Sequence, residues 1–156
     1  ELEDSKKNLY TDNCILNSVL NIKYSAAQVA DIKIESNIFV PKYMNIDYGD
    51  MGVLFGNLLD NAIEANQGVD RKKRWINVSV KYEEHILIIN IKNSKIRGSR
   101  RKKKGYLNHG IGLNSVKQIV EKFNGIVEVQ DFGEMYEVSA ILYGICDDKD
   151  LGKSVL

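Results

Sequence analysis

Cysteine, proline and long apolar runs are all scarce in this chain of 156 residues. Cys14 and Cys146 lack the spacing of a metal site, and so few thiols predict reduced cysteines in a cytoplasmic domain rather than a disulfide scaffold. No apolar run approaches the roughly 18–20 residues that a membrane-spanning helix needs. Because the first residue is Glu1 rather than Met, we expect one domain excised from a longer protein.

Acidic residues are missing from one long stretch of the chain. None occurs between Glu84 and Glu121, although the net charge of the whole chain is only +1. The nine basic residues of this stretch are Lys92, Lys95, Arg97, Arg100, Arg101, Lys102, Lys103, Lys104 and Lys117. A cationic segment on a nearly neutral domain predicts an anionic partner.

Apolar residues recur at helical spacing in three segments. The first covers 12–30, where Asp12 is the expected cap. Asp47 is the expected cap of the second helix, which should end near Gly68 because glycine commonly follows a helix C-terminus. A third helix is predicted to follow Gly112.

Alternating apolar residues predict five short strands. The first strand begins at Ile32 and ends near Pro41, and the others lie around 76–80, 87–93, 126–130 and 136–142. Residues 94–109 show no sustained apolar period and predict a long basic loop, a kind of loop that is usually functional or disordered. The chain after Gly144 is polar and is expected to fray or to bind a partner. Helices few enough to cover one face of the sheet predict an α/β fold of two layers.

The predicted second helix carries a polar stripe beside its apolar face. Asn57, Asn61 and Glu64 follow the i, i+4, i+7 spacing of one helix face. The stripe could cap neighbouring loops or face solvent, as polar helix residues commonly do, or it could line a cleft. An asparagine offers a neutral carbonyl oxygen, which suits a hard cation such as Mg²⁺ that also binds substrate phosphates.

Two further features could belong to a ligand site. Gly110-Ile111-Gly112 opens the third helix, where glycines allow close backbone approach and a helix start directs amides at an anion. A plain turn into the helix explains these glycines equally well. Asn93 ends the core-facing row of its strand, as either a strand cap or the polar floor of a pocket. In a pocket its amide could accept a hydrogen bond from an exocyclic amine such as that of adenine.

Together these segments resemble the GHKL (Bergerat-fold) ATP-binding domains. Residues 57–65, NLLDNAIEA, resemble their N box, residues 109–116, HGIGLNSV, resemble their G2 box, and the basic loop lies where their ATP lid belongs. DNAIEA at 60–65 together with the longer motif HGIGLNSVKQIVEKFNG at 109–125 is most similar to the sensor histidine kinases of Gram-positive peptide quorum-sensing systems (AgrC-like kinases). The resemblance covers residues 12–143. It implies a two-layer α/β sandwich, a mixed sheet of about five strands with about three helices on one face.

The resemblance implies a role for each motif residue. Asn61 would coordinate the Mg²⁺ that bridges the phosphates of ATP, and Asn57 would line the phosphate side. Glu64 would be the catalytic residue, as a polariser, although a structural role fits its place equally well. The other implied nucleotide contacts are Asn93 at the adenine and Lys104, His109, Gly110, Ile111, Gly112 and Leu113 along the lid and the G2 box.

Two departures from the family pattern bear on the chemistry. The family's Asp-x-Gly-x-Gly is replaced by the sequence NSKIR at 93–97, so Asn93 would replace the adenine-reading aspartate and the glycine hinge is missing. In the ATP hydrolases of this fold, a glutamate four residues before the metal-binding asparagine activates water. Asn57 occupies that position, and an amide cannot act as a general base. This departure favours phosphoryl transfer over hydrolysis.

The resemblance therefore implies the catalytic ATP-binding domain of a two-component sensor histidine kinase. The γ-phosphoryl of ATP would pass to a histidine on a dimerisation helix outside this chain, and then to an aspartate of a response regulator. Residues 1–11 would end a linker or dimerisation helix, 12–143 would form the ATP-binding domain and 144–156 a C-terminal tail. The parent protein is expected to be a membrane-anchored homodimer with this domain in the cytoplasm.

Three alternatives remain open at this point. A serine kinase acting as an anti-sigma factor shares the fold, and so does a nucleotide-binding regulator whose altered lid prevents transfer. Residues 95–104 hold seven basic residues in ten and could contact nucleic acid. No aromatic side chain is interleaved there and no recognition helix is recognisable, so a lid facing a triphosphate explains the charge better. We therefore expect no nucleic-acid partner.

Overall fold

A computed structural model describes residues 8–98 and 109–151 of the chain, with side chains described for 8–98 and 112–149. The elements in chain order are α1 (Cys14–Val29), β1 (Lys33–Phe39), α2 (Tyr48–Ala65), β2 (Trp75–Glu83), β3 (Ile86–Ser94), α3 (His109–Lys122), β4 (Ile126–Asp131), β5 (Met135–Tyr143) and α4 (Asp148–Leu151). A short 3-10 turn at Arg71–Lys73 precedes β2. No helix in these described ranges is both long and apolar enough to cross a membrane.

The five strands form one mixed sheet in the order β1-β2-β3-β5-β4. β1 runs parallel to β2, and all other neighbouring strands are antiparallel. A parallel pair needs a crossover connection, which α2 provides between β1 and β2. The β2–β3 hairpin turns through Glu84 and His85, whose φ angles of 47° and 67° suit a tight two-residue turn.

The core lies between one face of the sheet and the three long helices. Val78, Val80, Leu87 and Ile89 alternate with outward-facing residues along β2 and β3, and none of the four is exposed. α2 is the middle helix, because it contacts both α1 and α3 as well as β3. The predicted two-layer α/β sandwich, with five strands and three helices on one face, is confirmed.

α2 begins and ends where the sequence predicts. The Asp47 side chain caps it by accepting hydrogen bonds from the N–H groups of Gly49 (2.8 Å) and Asp50 (3.3 Å). These are first-turn amides that have no acceptor inside the helix. Beyond the C-terminus Gly68 adopts a φ of +90°, a left-handed conformation that glycine tolerates without steric cost.

The expected cap of α1 is wrong by one residue. Asn13, not Asp12, caps the helix, because its Oδ1 accepts the N–H of Leu16 at 3.1 Å. Asn13 is also buried, and its Nδ2 donates to the carbonyl oxygen of Pro41 at 3.4 Å. The second contact fixes the asparagine against the loop after β1. The aspartate next to it is exposed.

Residues 8–11, which precede α1, are described and are not helical. The backbone N–H of Asn8 donates to Asn21 Oδ1 at 3.0 Å, and its carbonyl oxygen accepts from Asn21 Nδ2 at 2.8 Å. The N–H of Tyr10 donates to Asn17 Oδ1 at 2.8 Å. These side-chain contacts satisfy the backbone in place of helical hydrogen bonds. The helical alternative for 1–11 is therefore wrong for 8–11, and 1–7 lie outside the described residues.

The chain that follows β5 is held down rather than frayed. Ile145 is fully buried, and its N–H donates to the carbonyl oxygen of His85 at 2.9 Å. The N–H of Cys146 donates to Asn45 Oδ1 at 2.8 Å. The expected fraying is therefore wrong for these two residues, because an apolar side chain here completes the core. Residues 152–156 lie outside the described part, and the division of the chain at 143 stays a prediction.

We predict that Ile145→Ala lowers the free energy of unfolding by about 2–5 kcal/mol, the usual cost of truncating a fully buried isoleucine. Urea denaturation measures this loss. Ile22→Ala is the matched control, because Ile22 is 67% exposed on α1 and its truncation should change stability by less than about 0.5 kcal/mol. Equal stabilities of the two variants would show that the tail does not contribute to the core.

Candidate functional site

The polar stripe of α2 runs from the interior to the surface. Asn57 is half-buried, Asn61 is 7% exposed, and Glu64 is exposed. α2 packs against both α3 and β3, so the stripe follows the seam where the helix leaves the core. The burial of Asn61 is inconsistent with a side chain that simply faces solvent. The stripe therefore does not simply face solvent, and its lining of a ligand cleft stays a prediction.

The amide of Asn61 has no hydrogen-bond partner within the described part of the chain. Its Nδ2 is fully buried, and no acceptor lies within hydrogen-bonding distance. Buried polar groups are nearly always paired, and an unpaired one costs about 1–3 kcal/mol. The two neighbouring asparagines of this segment, Asn57 and Asn66, both donate hydrogen bonds. Asn61 is thus the exception, because its side-chain nitrogen is a buried donor without an acceptor.

Asn57 connects α2 with the first turn of α3. Its Nδ2 donates to the carbonyl oxygen of Gly112 at 3.4 Å. α3 begins at His109, so Gly110, Ile111 and Gly112 lie inside its first turn, and the expectation that the helix only follows Gly112 is wrong. The N–H groups of a first helical turn have no acceptor within the helix. These amides therefore lie beside the α2 stripe at the start of α3, and their use by a nucleotide stays a prediction.

Asn93 ends the helix-facing row of β3, as the alternation predicts, and is 2% exposed. Its Nδ2 donates to the carbonyl oxygen of Ser94 at 3.0 Å. Because a carbonyl only accepts, this contact fixes which end of the amide faces Ser94 and which faces away. The Asn93 Oδ1 has no donor among the residues described. The amide nitrogen therefore acts as the strand cap, while the oxygen remains an unfilled acceptor.

Two buried polar residues next to this site, Asn66 and Ser94, escape the sequence analysis. Asn66 is fully buried at the C-terminus of α2, and its Nδ2 donates to the carbonyl oxygens of Ala62 (2.9 Å) and Trp75 (3.3 Å). Its Oδ1 accepts a hydrogen bond from Ser94 Oγ. The signal available in the sequence is a further asparagine five residues after Asn61, which is off the stripe and needs its own partner.

The family model described as "GHKL domain" (HATPase_c_5) matches residues 46–142, which is more than half of the chain. The chain belongs to the GHKL domain family. The matched range runs from the residue before the Asp47 cap to the next-to-last residue of β5. It includes Asn57, Asn61, Asn93 and the first turn of α3.

A curated relative of this GHKL domain is a "Probable C4-dicarboxylate sensor kinase" of Bacillus subtilis (strain 168). The two sequences are 32% identical over 95 residues, which is 54% of this chain but 18% of that protein. The chain therefore spans less than a fifth of the length of the curated relative that it matches.

Solved structures of histidine kinases share the fold. The catalytic domain of histidine kinase ThkA superimposes with a TM-score of 0.65 at 15% identity, covering 85% of this chain and 91% of that one. The mycobacterial sensor histidine kinase MprB gives 0.64 at 19% identity, covering 83% and 93%. Full-length ShkA in complex with AMPPNP gives 0.66 at 13% identity, covering 88% and 31%. At such identities the likeness shows the fold alone.

Ion pairs hold the segment where GHKL domains commonly have a glycine hinge. Lys95 is 9% exposed, and its Nζ lies 2.6 Å from Asp131 Oδ2. The Arg97 Nε lies 3.8 Å from Glu134 Oε1. The hydrogen bond from Lys95, assisted by the backbone N–H of Gly133, lowers the pKa of Asp131 below its ordinary value. The start of the basic loop is thus fastened to the β4–β5 turn.

This fastening changes the interpretation of the basic loop. Lys95 and Arg97 pair with acidic side chains, so part of the positive charge at the start of the loop is already balanced, and the expectation that its cations face a triphosphate stays a prediction. Residues 99–108, including Lys104, lie outside the described part of the chain, as do the side chains of His109 and Ile111. Their expected contacts with nucleotide stay predictions, and so does the expected contact of the half-buried Leu113.

We predict that Gly112→Ala weakens MgATP binding at least tenfold, about 1.4 kcal/mol, without destabilising the fold. A Cβ at this position would lie 3.8 Å from the Asn57 Cγ, an ordinary contact, so it fits the protein but would stand where the proposed phosphate site lies. Gly52→Ala is the matched control, because it lies in α2 with nothing within 4 Å of the added methyl. Titration calorimetry and thermal unfolding test both variants. Unchanged MgATP binding by Gly112→Ala contradicts a phosphate site at this turn.

Proposed function

We propose that this chain is the catalytic ATP-binding domain of a sensor histidine kinase. In this proposal the γ-phosphoryl of ATP passes to a histidine outside the chain. The observation that carries it is that Asn61, beside Asn57 and its hydrogen bond to the first turn of α3, is kept polar in the interior although its amide nitrogen has no acceptor among the described residues. Membership of the GHKL family supports ATP as the ligand, and the curated relative described as a sensor kinase supports the reaction class.

The donor chemistry of Asn61 fits one ligand position of Mg²⁺. A neutral amide oxygen is an accepted Mg²⁺ ligand, and this cation usually relies on one or two protein groups together with substrate phosphates. No cluster of three or more His, Cys, Asp or Glu side chains that could hold a metal occurs in the described residues. A Mg²⁺ site in which the phosphates of the nucleotide supply most of the ligands does not need such a cluster. When bound, Mg²⁺ would neutralise charge on the phosphates.

The remaining polar groups suit the two ends of ATP. The N–H groups of Gly110, Ile111 and Gly112, in the first turn of α3, can donate to phosphate oxygens, which helix N-termini bind readily. The Asn93 Oδ1 can accept the exocyclic amine of adenine, because its Nδ2 is already engaged by Ser94. A 6-oxo purine would set one acceptor against another there. We therefore propose selection of ATP over GTP.

Phosphoryl transfer suits this site better than hydrolysis. Asn57 cannot accept a proton from water, and its amide nitrogen already donates to Gly112. Transfer needs mainly positioning and charge neutralisation, with the nucleophile supplied from outside. The exposed Glu64 lies at the open end of the stripe. We propose that its carboxylate accepts the proton of one imidazole nitrogen while the other attacks the γ-phosphorus and ADP leaves.

The finer assignments concern the parent protein. We propose a membrane-anchored homodimer in which a dimerisation helix carries the acceptor histidine and a response regulator receives the phosphoryl group. This domain would then lie on the cytoplasmic side. The quorum-sensing, AgrC-like subtype rests on the sequences of residues 60–65 and 109–125 alone.

For the metal, we predict that Asn61→Ala weakens Mg²⁺-dependent ATP binding at least tenfold, about 1.4 kcal/mol, and has a smaller effect when Mg²⁺ is chelated. The reason is the loss of the one protein oxygen assigned to the ion. Titration calorimetry with and without Mg²⁺ measures both values. Asn37→Ala, an exposed asparagine of β1, is the control and should bind as the unaltered chain does. If Asn61→Ala binds ATP in the presence of Mg²⁺ as tightly as the unaltered chain does, Asn61 is not a ligand of the metal.

For the reaction, we predict that the isolated domain binds MgATP, hydrolyses it very slowly and does not label itself with phosphate. Mixed with a fragment that bears the dimerisation helix of its parent, it should label that fragment with an acid-labile, base-stable phosphoryl group. The fragment must be concentrated, because the parent holds both parts on one chain at high effective concentration. Rapid hydrolysis by the domain alone indicates an ATPase, and acid-stable labelling indicates a serine kinase.

A further inference from the structure

The end of α2 is tied to two strands through one side chain. Asn66 is 0% exposed, and its amide nitrogen reaches the carbonyl oxygens of Ala62 in α2 (2.9 Å) and Trp75 in β2 (3.3 Å). Its amide oxygen accepts from Ser94 Oγ at the end of β3. Ser94 is itself 5% exposed, and its Oγ accepts the backbone N–H of Trp75 at 2.9 Å. We call this set of contacts the Asn66–Ser94 junction.

The junction is more than a helix cap. Asparagine is frequent after helices because it tolerates a left-handed backbone, but Asn66 has φ −78° and ψ −15°, a conformation open to any residue. Its backbone therefore does not call for asparagine. What the position requires is the amide group, because two of its three hydrogen bonds cross from α2 to the sheet.

The two sides of the candidate site meet at this junction. On the α2 side, the anchored carbonyl belongs to Ala62, which is the residue after Asn61. On the sheet side, Ser94 is the residue after Asn93, and its carbonyl oxygen holds the Asn93 amide at 3.0 Å. The hydrogen bond between the Asn66 amide and the Ser94 hydroxyl thus connects the residue next to Asn61 with the residue next to Asn93.

We infer that Asn66 and Ser94 are positioning residues of the nucleotide site, which set the separation between Asn61 and Asn93. The inference rests on the proposed binding of MgATP. ATP must engage both asparagines at once, so a small displacement of one side weakens a ligand that spans them. Neither residue needs to touch the nucleotide. Buried polar groups that orient binding residues in this way act through their neighbours.

The test compares Ser94→Ala with Ser94→Thr. Alanine removes the hydroxyl and leaves the Trp75 N–H and the Asn66 Oδ1 without their partner, whereas threonine keeps it. Ser94 is among the residues that line an open cavity of about 710 Å³, and thermal unfolding of both variants checks that each one folds. We expect MgATP to bind Ser94→Ala at least tenfold more weakly than the unaltered chain, and Ser94→Thr to restore most of the loss.

Ile145→Ala separates positioning from simple loss of stability, because it removes a buried side chain among contacts to Asn45, Tyr82 and His85, away from the junction. All affinities are measured by calorimetry well below the thermal midpoint of each variant. Ile145→Ala should bind MgATP normally although it is destabilised. If Ser94→Ala binds MgATP as tightly as the unaltered chain, or if Ile145→Ala loses as much affinity, the positioning role is overturned. Failure of the unaltered chain to bind MgATP overturns the proposed function itself.

Discussion

The apolar face of α2, packed between the sheet and the flanking helices, is the contact on which both the fold and the site depend. Leu54, Phe55 and Leu58 are at most 2% exposed, and burial of one such side chain contributes about 1.5–3 kcal/mol. The same packing carries Asn61 into the interior, where its unpaired Nδ2 costs about 1–3 kcal/mol. Several apolar anchors easily offset one such cost. The helix can therefore hold an amide whose nitrogen is unpaired, and the oxygen of the same amide is the proposed ligand of Mg²⁺.

A second group of contacts holds the rest of the site around α2, and each is polar. Asn57 bonds to the first turn of α3, and the Asn66–Ser94 junction ties the helix C-terminus to β2 and β3. Lys95 pairs with Asp131 and fastens the start of the basic loop. Hydrogen bonds and ion pairs are directional, so they fix spacing where apolar packing alone would allow sliding. Each of these contacts lies within a few residues of a predicted nucleotide contact.

Periodicity and capping predict most of the fold because they are local. The alternation around Val78 and Ile89 places the core-facing rows of β2 and β3 correctly, and the Asp47 cap marks the start of α2. Local rules could not choose between Asp12 and Asn13, since both can cap and only a contact with Pro41 distinguishes them. They also could not place Ile145, whose burial depends on residues about 60 and 100 positions earlier.

The same distinction holds for the site. The stripe of Asn57, Asn61 and Glu64 follows from helical spacing, whereas the Asn66–Ser94 pair joins residues 28 positions apart and leaves no periodic signal. The pairing of Lys95 with Asp131 likewise depends on how β4 and β5 turn. Charge along the sequence predicts a cationic loop, but only the fold shows that its first two cations are already neutralised by nearby acids.

The central claim is that the Asn61 amide is kept for a ligand at a cost to the ligand-free fold, and urea unfolding of Asn61→Leu tests it most directly. Leucine has nearly the same shape and no polar group to leave unpaired, so the ligand-free variant should be at least as stable as the unaltered chain. MgATP at about 100 times its dissociation constant should stabilise the unaltered chain by about 2.7 kcal/mol and the variant far less. A variant that is clearly less stable without ligand, or that MgATP stabilises equally, would contradict the account.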